Sequence, residues 1–262
     1  MTLAQSYVGI DISHAHLDIF DDSCGRTIRI ANDGQAIAGF LAGLAGRAVT
    51  VVFEATGPYD RALRQALAAA GIAAIRVNPA RARDFARAAG FLAKTDAVDA
   101  RMLAAMGRAL ALPAAAPIDP AREALAALSR QRDRLVEVRA EEKKRLAQCL
   151  PEIAASIARH IAWLTKEIAA LEAAIADLIA ATPHLAAIER LLATAPGVGK
   201  VTIMALIAHM PELGQRSPKA IAALAGLAPL NNDSGERRGR RCIRGGRPRI
   251  RRALYMAALA AI

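Results

Sequence analysis

Four carboxylates in the first hundred residues have the types and spacing to hold divalent ions. Asp11 interrupts an apolar strand pattern, Glu54 ends the run Val-Val-Phe-Glu, and Asp96 and Asp99 stand three apart at the start of a helical stretch. Each alone is compatible with a structural role, such as a first-turn charge on a helix. Together they favour Mg²⁺ or Mn²⁺, because clustered carboxylates repel one another without a cation. Two such ions about 4 Å apart would serve phosphoryl transfer.

A second candidate group is Ser234, within "NNDSGERRGRRCIRGGRPRIRR" at residues 231–252. Taken alone, Asn-Asp-Ser-Gly is a turn sequence, so the serine has an ordinary explanation. A serine hydroxyl also becomes a nucleophile when a base or a metal activates it. Asp233 is adjacent, but consecutive turn residues usually point apart, so we do not expect it to be the base. From these residues alone, Ser234 could be a turn residue or a nucleophile, and both interpretations stay open.

Basic residues give the chain a formal charge of +11 and a pI near 10.4. Such an excess favours a polyanionic partner, because neutralised phosphates release counterions. Aromatic residues make up only 3%, which argues against base stacking as the main mode of binding. We expect phosphate contacts from the arginines after the serine: Arg237, Arg238, Arg240, Arg241, Arg244 and Arg247.

The same features predict a cytoplasmic protein with no membrane partner. No apolar run reaches the roughly 18 residues of a span, and the N-terminus begins at once as a strand, without a signal peptide. The three cysteines form no CxxC motif and no even framework, which is typical of a reducing compartment.

The elements that must position the acids form a mixed α/β pattern over residues 1–112. Val8, Ile10 and Ile12 alternate with polar positions at the strand period, and two further short strands follow. We predict helices over 33–44, 61–70 and 95–110, with strands at "AVTVVFEATG" and "IAAIRVNP" between them. The order βββαβαβα is that of a ribonuclease H-like (RuvC-like) fold. Its first and fourth strands are neighbours, so the four acids should converge.

The rest of the chain reads as helical. Residues 113–120, "PAAAPIDP", are predicted to be a linker. Residues 121–182 carry an apolar seam in their second half at spacings of three and four, which predicts a helical hairpin or coiled coil that oligomerises. Residues 183–262 are predicted to be a helical domain with a helix-hairpin-helix. Its glycine-rich turn would offer Gly197, Gly199 and Lys200 to a phosphate, although an ordinary helical corner has the same pattern.

These motifs resemble a known family. "GIDIS", "FEATGPY" and "KTDAVDARMLA", a helical middle, "APGVG", and then "LAGLAPLNNDSGERRGRRCIRGGRPRIRRALYMAA" are similar, in that order, to the DEDD transposases of the insertion-sequence 110 family. These enzymes are bridge-RNA-guided recombinases, and the resemblance covers essentially the whole chain. Members usually continue beyond this point, so the resemblance also indicates a chain that is short at its C-terminus.

The resemblance implies a RuvC-like domain holding Asp11, Glu54, Asp96 and Asp99, and a C-terminal transposase domain whose nucleophile is Ser234. It implies dimers or tetramers that bind a structured guide RNA, which pairs with donor and target DNA. We expect Ser234 to meet the acids in a composite site, supplied by the same or a neighbouring subunit.

Three other functions are weighed against this one. A RuvC-type Holliday-junction resolvase would use the same acids with metal-activated water and would not need Ser234. An actin-like ATPase also begins with Gly-Ile-Asp, but no second phosphate loop follows residue 112. A non-catalytic helix-hairpin-helix protein would leave the four acids unexplained. The recombinase is favoured, and the resolvase is the alternative.

Overall fold

A computed structural model describes residues 5–91, 93, 95–114, 119–235 and 237–262. The chain divides into two compact units, Met1–Ile118 and Asp119–Ile262, which we call the N-terminal and C-terminal units. Half of the predicted linker, residues 115–118, lies outside the described residues. The predicted division into four parts is finer than these two units and stays a prediction.

The N-terminal unit is built on a five-stranded mixed sheet. Its strands are β1 (Ser6–Ile12), β2 (His16–Asp21), β3 (Arg26–Ala31), β4 (Val49–Glu54) and β5 (Ala73–Val77). Their order is β3-β2-β1-β4-β5, with β1 antiparallel to β2 and parallel to β4. This mixed α/β arrangement is consistent with the predicted ribonuclease H-like fold, and it makes β1 and β4 neighbours.

The described part of this unit also has four α-helices and a short 3₁₀ helix, Gly57–Asp60. The helices are α1 (Gly34–Ala42), α2 (Arg61–Ala69), α3 (Pro79–Ala88) and α4 (Asp96–Leu110). Of these, α1, the 3₁₀ helix and α2 connect strands, and α3 and α4 follow β5. Three were predicted to within about two residues, and α4 starts where predicted because the Thr95 side chain accepts a hydrogen bond from the Val98 N–H at 3.3 Å. The prediction missed α3, although Asn78 followed by Pro79 is a helix-start signal.

Alternation along the strands separates the sheet into two apolar faces. One face carries Val8, Ile10 and Ile12 of β1 and packs against α1 and α2. The other carries Val52 of β4, which packs with Met102, Leu103 and Met106 of α4. Because neighbouring residues of a strand point to opposite faces, the polar positions of β1 lie on the face that α4 covers.

The C-terminal unit is helical. Its helices are α5 (Pro120–Leu146), α6 (Pro151–Ala181), α7 (Pro183–Leu192), α8 (Lys200–His209), α9 (Pro218–Ala225) and α10 (Pro248–Ala260). The pairs Arg132–Glu172 and His160–Glu142 join α5 to α6, so the two long helices form an antiparallel hairpin within the chain.

The core of this unit includes both the hairpin and the helices after it. The predicted seam is buried at Ile157, Leu164, Ile168 and Ile175, whereas Ile153 is 47% exposed. The apolar cluster that contains Ile175 also includes residues of α5, α7 and α8. Helices α5 to α8 therefore share this core, and a second apolar cluster joins α8 to α9 and α10.

Among the described residues, no single helix has both the length and the apolar composition of a membrane span. Only α6 and α7 taken together have them, and that pair is bent by 109°. The three cysteines, Cys24, Cys149 and Cys242, are free thiols.

Candidate active site

Asp11 and Glu54 lie side by side on the face of the sheet that α4 covers. In the parallel pairing of β1 with β4, Ile10 is opposite Phe53, so the next pair in register is Asp11 and Glu54. Ile10 and Phe53 both belong to the core on the α1–α2 side. The two acids therefore point away from that core, toward α4.

Two glycines let α4 lie directly on β1 and β4. A β-carbon on Gly9 would lie 1.9 Å from the Ala100 carbonyl oxygen, which is closer than any side chain allows. A β-carbon on Gly107 would lie 2.6 Å from Val52 and 2.8 Å from Tyr7. Since Tyr7 meets the end of α4 and Gly9 its middle, the helix runs antiparallel to β1.

This packing brings the acids of α4 to the acids of the sheet. Asp11 is two residues beyond Gly9, which is about 7 Å along a strand. At about 1.5 Å per residue, that distance corresponds to between one and two turns of helix. It leads from the middle of α4 back to its first turn, where Asp96 and Asp99 lie.

The pKa of Asp11 responds to burial and to the charges of the other three acids. Burial is the largest cause that raises the pKa of the Asp11 carboxyl, the negative charges of Asp99, Asp96 and Glu54 follow in that order, and together these effects bring the pKa to about 6. The Ile12 N–H, which donates to Asp11 Oδ1 at 3.1 Å, opposes these effects by lowering the pKa. Asp11 is thus within electrostatic range of the other three acids, and their joint role in binding a metal ion stays a prediction.

The donor set matches a divalent ion in kind, because it consists of carboxylate oxygens whose mutual repulsion a cation would relieve. Within the described residues, however, no three His, Cys, Asp or Glu side chains converge on a point that would hold one ion. The backbone brings the acids to one end of the sheet, and their side chains must turn toward a common ion to bind it.

Two residues beside the acids, Asp18 and Arg29, were not predicted from the sequence. In the antiparallel pairings Asp11 lies opposite Asp18, and Asp18 lies opposite Arg29. Arg29 donates to both oxygens of Asp18, at 3.0 and 2.9 Å, and to Asp96 Oδ2 at 2.7 Å. The usable signal was the short turn between β1 and β2, which fixes the residues that face each other across the hairpin.

Ser234 lies on a short hairpin between α9 and α10, which we call the Ser234 hairpin (residues 230–242). Leu230 bridges Cys242, and farther out Ser234 bridges Arg237 through two reciprocal backbone hydrogen bonds of 3.0 Å. Gly235 follows the serine with φ of +55°, a conformation that favours glycine. The predicted turn is confirmed, and Ser234 is exposed on it.

Asp233 is committed to the backbone of this hairpin. Its Oδ1 accepts a hydrogen bond from the Gly239 N–H at 3.1 Å. Gly239 also packs tightly across the hairpin, since a β-carbon there would lie 2.0 Å from the Asn232 carbonyl oxygen. The role of Asp233 in this structure is to hold the hairpin closed.

Two arginines fix the base of the hairpin to the C-terminal unit. Arg247 forms a bidentate pair with Glu212, both contacts at 2.7 Å, and donates to the His209 carbonyl oxygen at 2.8 Å. Arg251 donates to the carbonyl oxygens of Gly226 and Gly245, each at 3.3 Å. Arg247 was expected among the phosphate contacts; here its guanidinium serves as an anchor, and a phosphate contact from it stays a prediction.

The other five predicted arginines differ from Arg247 in their surroundings. All five are exposed, and none forms a side-chain ion pair with another described residue; they are Arg237, Arg238, Arg240, Arg241 and Arg244. Their charges are therefore available to an anionic partner beside the serine.

The glycine-rich turn before α8 has a packing role of its own. Gly197 has φ of +74°, and a β-carbon there would lie 2.2 Å from the Ala257 carbonyl oxygen of α10. Gly199 is the N-cap of α8, and Lys200 is its exposed first residue. Close packing on α10 is enough to explain Gly197, and phosphate binding by this turn as a helix-hairpin-helix stays a prediction.

Comparison with known proteins agrees with the resemblance seen in the sequence. A family model of DEDD transposases of the IS110 type, described as "Transposase", matches residues 8–155. A second, described as "Transposase IS116/IS110/IS902 family", matches residues 189–262. Pilin gene-inverting proteins of Moraxella lacunata and Moraxella bovis are each 27% identical over 267 residues, covering 98% of this chain and 83% of theirs.

The first family model spans the sheet, α4 and the four acids, and the second spans the Ser234 hairpin. The chain therefore belongs to the IS110 family of transposases, and it is an enzyme that acts on DNA.

Proposed function

We propose that this transposase cuts and rejoins DNA strands with divalent ions held by Asp11, Glu54, Asp96 and Asp99. The observation that carries the proposal is geometric: Asp11 lies beside Glu54 in the strand register, and the helix that begins with Asp96 and Asp99 packs on the same face of the sheet. Carboxylates gathered in this way favour a divalent cation. Mg²⁺ or Mn²⁺ bound there would supply charge stabilisation to a phosphate in transfer. The chain's own part is to bring four carboxylates to one end of the sheet.

We further propose that Ser234 is the nucleophile. Its Oγ forms a bond to phosphorus, the hydroxyl proton leaves to a base, and the bond from phosphorus to the leaving strand breaks to give that strand a free hydroxyl. Attack of a strand hydroxyl on the phosphoserine reverses the exchange and frees Ser234. The exposed position of Ser234 on a closed hairpin supports this role, since a strand can reach it.

Rejoining favours a covalent intermediate over hydrolysis. The Moraxella relatives are named as gene-inverting proteins, and a segment of DNA can be inverted only if its cut ends are joined again. A phosphoserine link conserves the energy of the broken bond, whereas attack by water does not. A covalent link to Ser234 would therefore distinguish a recombinase from a RuvC-type resolvase, which uses water.

The five exposed arginines of the hairpin and of the segment just after it are proposed to bind phosphates of nucleic acid rather than base edges. Their charges lie on a protein with few aromatic residues, so stacking contributes little. We propose that sequence is read instead by a structured guide RNA that pairs with donor and target DNA, a division of labour known from other RNA-guided enzymes.

We propose that the working form is a homo-oligomer, a dimer or a tetramer. Most of the apolar seam of the α5–α6 hairpin is buried by contacts within the chain. Leu150, Ile153 and Trp163 in its outer part remain 71%, 47% and 53% exposed. Large exposed apolar side chains on a long hairpin support self-association.

The test of the metal site is strand cleavage by Asp11→Asn in Mg²⁺ or Mn²⁺. We expect loss of cleavage by roughly a thousandfold or more, because removing a ligand costs several kcal/mol of transition-state stabilisation. DNA binding, measured by fluorescence anisotropy, should change little, since it rests on the arginines. Asp84→Asn is the matched control, because Asp84 is an exposed acid on α3 of the same unit.

Cleavage by Asp11→Asn at the rate of Asp84→Asn would contradict the metal site. Loss of cleavage together with loss of DNA binding would indicate a folding defect, which thermal unfolding of the two variants detects.

A further inference from the structure

We propose that Arg29 is a positioning residue for the metal site: it holds the Asp96 carboxylate through one oxygen, and Asp18 in turn fixes Arg29. The inference rests on the proposed function, because it takes Asp96 to be a ligand of a divalent ion.

The first support is the row of side chains across the sheet. Register places Arg29, Asp18 and Asp11 on three adjacent strands directly beside one another, on the face that α4 covers. Glu54 continues the row on the next strand. Arg29 is therefore built into the same surface as the acids.

The second support is the contrast in exposure among the three contacting groups. The Asp18 side chain is only 10% exposed, whereas those of Arg29 and Asp96 are 52% and 60% exposed. A buried carboxylate needs a charged or hydrogen-bonding partner. Arg29 supplies it through a bidentate pair, and that pair fixes the plane of an otherwise mobile guanidinium.

The third support is a second hydrogen bond from the same guanidinium, to Asp96. Nη2, which already donates to Asp18, also donates to Asp96 Oδ2 at 2.7 Å. One oxygen of Asp96 is thus held, and the other is left for an ion. Without this contact the exposed Asp96 side chain would turn away from the negative charge of Asp11, which lies close enough to interact with it.

Arginine is suited to this position and lysine is not. The guanidinium donates in one plane to two carboxylates at once, whereas an ammonium is a single point charge on a flexible stem. Groups that orient a metal-binding carboxylate typically contribute about 10–100-fold to metal affinity. The arrangement therefore predicts that metal affinity depends on the shape of residue 29 as well as on its charge.

The experiment is calorimetric titration of the full chain with Mn²⁺, without nucleic acid. We expect Arg29→Gln to weaken Mn²⁺ binding by about 10–100-fold, and Arg29→Lys to recover only part of that loss. Arg26→Gln is the matched control, because Arg26 is an exposed arginine of the same strand on the opposite face. Thermal unfolding without metal checks that each variant is folded.

The outcomes separate this inference from the proposed function. If Asp11→Asn abolishes Mn²⁺ binding while Arg29→Gln leaves the dissociation constant unchanged, the metal site stands and the role of Arg29 is overturned. Tighter binding by Arg29→Gln would make Arg29 a competitor for Asp96 and would also overturn it. If the wild-type chain binds no Mn²⁺, both proposals fail.

Discussion

Two regions of the molecule concentrate charge of opposite sign: the carboxylate cluster of the N-terminal unit and the arginine-rich end of the C-terminal unit. In each region one titratable side chain has a shifted pKa. Burial and three acids raise the pKa of Asp11 to about 6. Burial, followed by the positive charges of Arg249, Arg130 and Arg247, lowers the pKa of His209 to about 4. In both places nearby charges of the same sign destabilise the charged form of the group.

The two regions differ in how their charges are brought together. The acids come from β1, β4 and α4, and they meet only because the strand register and two glycines allow α4 to lie on the sheet. The five exposed arginines are near neighbours in the chain, on the Ser234 hairpin and just after it. The acidic site should therefore fail when packing is disturbed, whereas the basic surface should respond to its charge alone.

The largest expected effect comes from filling the contact between β1 and α4. Gly9→Ala would place a methyl group 1.9 Å from a backbone oxygen, so we expect the free energy of unfolding to fall by about 3 kcal/mol or more. Gly39→Ala on α1 is the control: it has open space and should stabilise by about 0.5–1 kcal/mol. Denaturant unfolding measures both, and equal stability of the two variants would refute close docking of α4.

A smaller effect is expected when charge is removed from the hairpin. Arg240→Gln combined with Arg241→Gln should reduce the slope of log affinity against log salt for duplex DNA by about two. Between 50 and 200 mM salt this is roughly a tenfold difference, measured by fluorescence anisotropy. Arg26→Gln is the control in the other unit. The preferred DNA sequence should stay the same, and a changed preference would instead indicate base readout.

The smallest effect is a pair of pH dependences with opposite sign. The pKa of Asp11 is about 6 in the folded state and 3.8, the ordinary value, in the unfolded state. Between these two pH values the folded protein keeps a proton on Asp11 that the unfolded chain has lost. Stability should therefore fall as pH rises from about 4 to about 6. With EDTA present, Asp11→Asn should remove this fall, which is about 1 kcal/mol after allowance for solvent screening.

His209 should behave in the opposite way. Its folded pKa of about 4 lies below the ordinary 6.5, so the unfolded state takes up a proton first and stability falls as pH drops through that range. His209→Gln should flatten this acid-side loss, also about 1 kcal/mol. Thermal unfolding of each variant across pH 4–7 measures the two slopes, and slopes of the same sign would contradict the comparison.

Features carried by neighbouring residues could be predicted from the sequence. The alternation around Asp11 gave its face of the strand, the Thr95 cap gave the start of α4, and Asn-Asp-Ser-Gly gave the turn at Ser234. The order of elements then gave the adjacency of β1 and β4, which brought the acids together. Each of these rests on short-range periodicity or on a rule of topology.

Features that depend on pairing between distant residues were missed. Arg29 reaches Asp96 across 67 residues, and Arg247 reaches Glu212 across 35. Whether an arginine orients an acid, anchors a loop or meets a phosphate depends on which side chains the packing places beside it. Composition and spacing do not contain that information.

The central claim is that Ser234 attacks DNA while the four acids hold the ions, and covalent labelling tests it directly. End-labelled donor DNA is incubated with the protein, Mg²⁺ and the RNA transcribed from the non-coding end of its insertion sequence, and the mixture is then denatured. Label should remain on the wild-type protein and on Ser217→Ala, whose serine caps α9. It should be absent from Ser234→Ala and Asp11→Asn. Free cut ends without a protein adduct, together with normal cutting by Ser234→Ala, would contradict the claim and favour a resolvase that uses water.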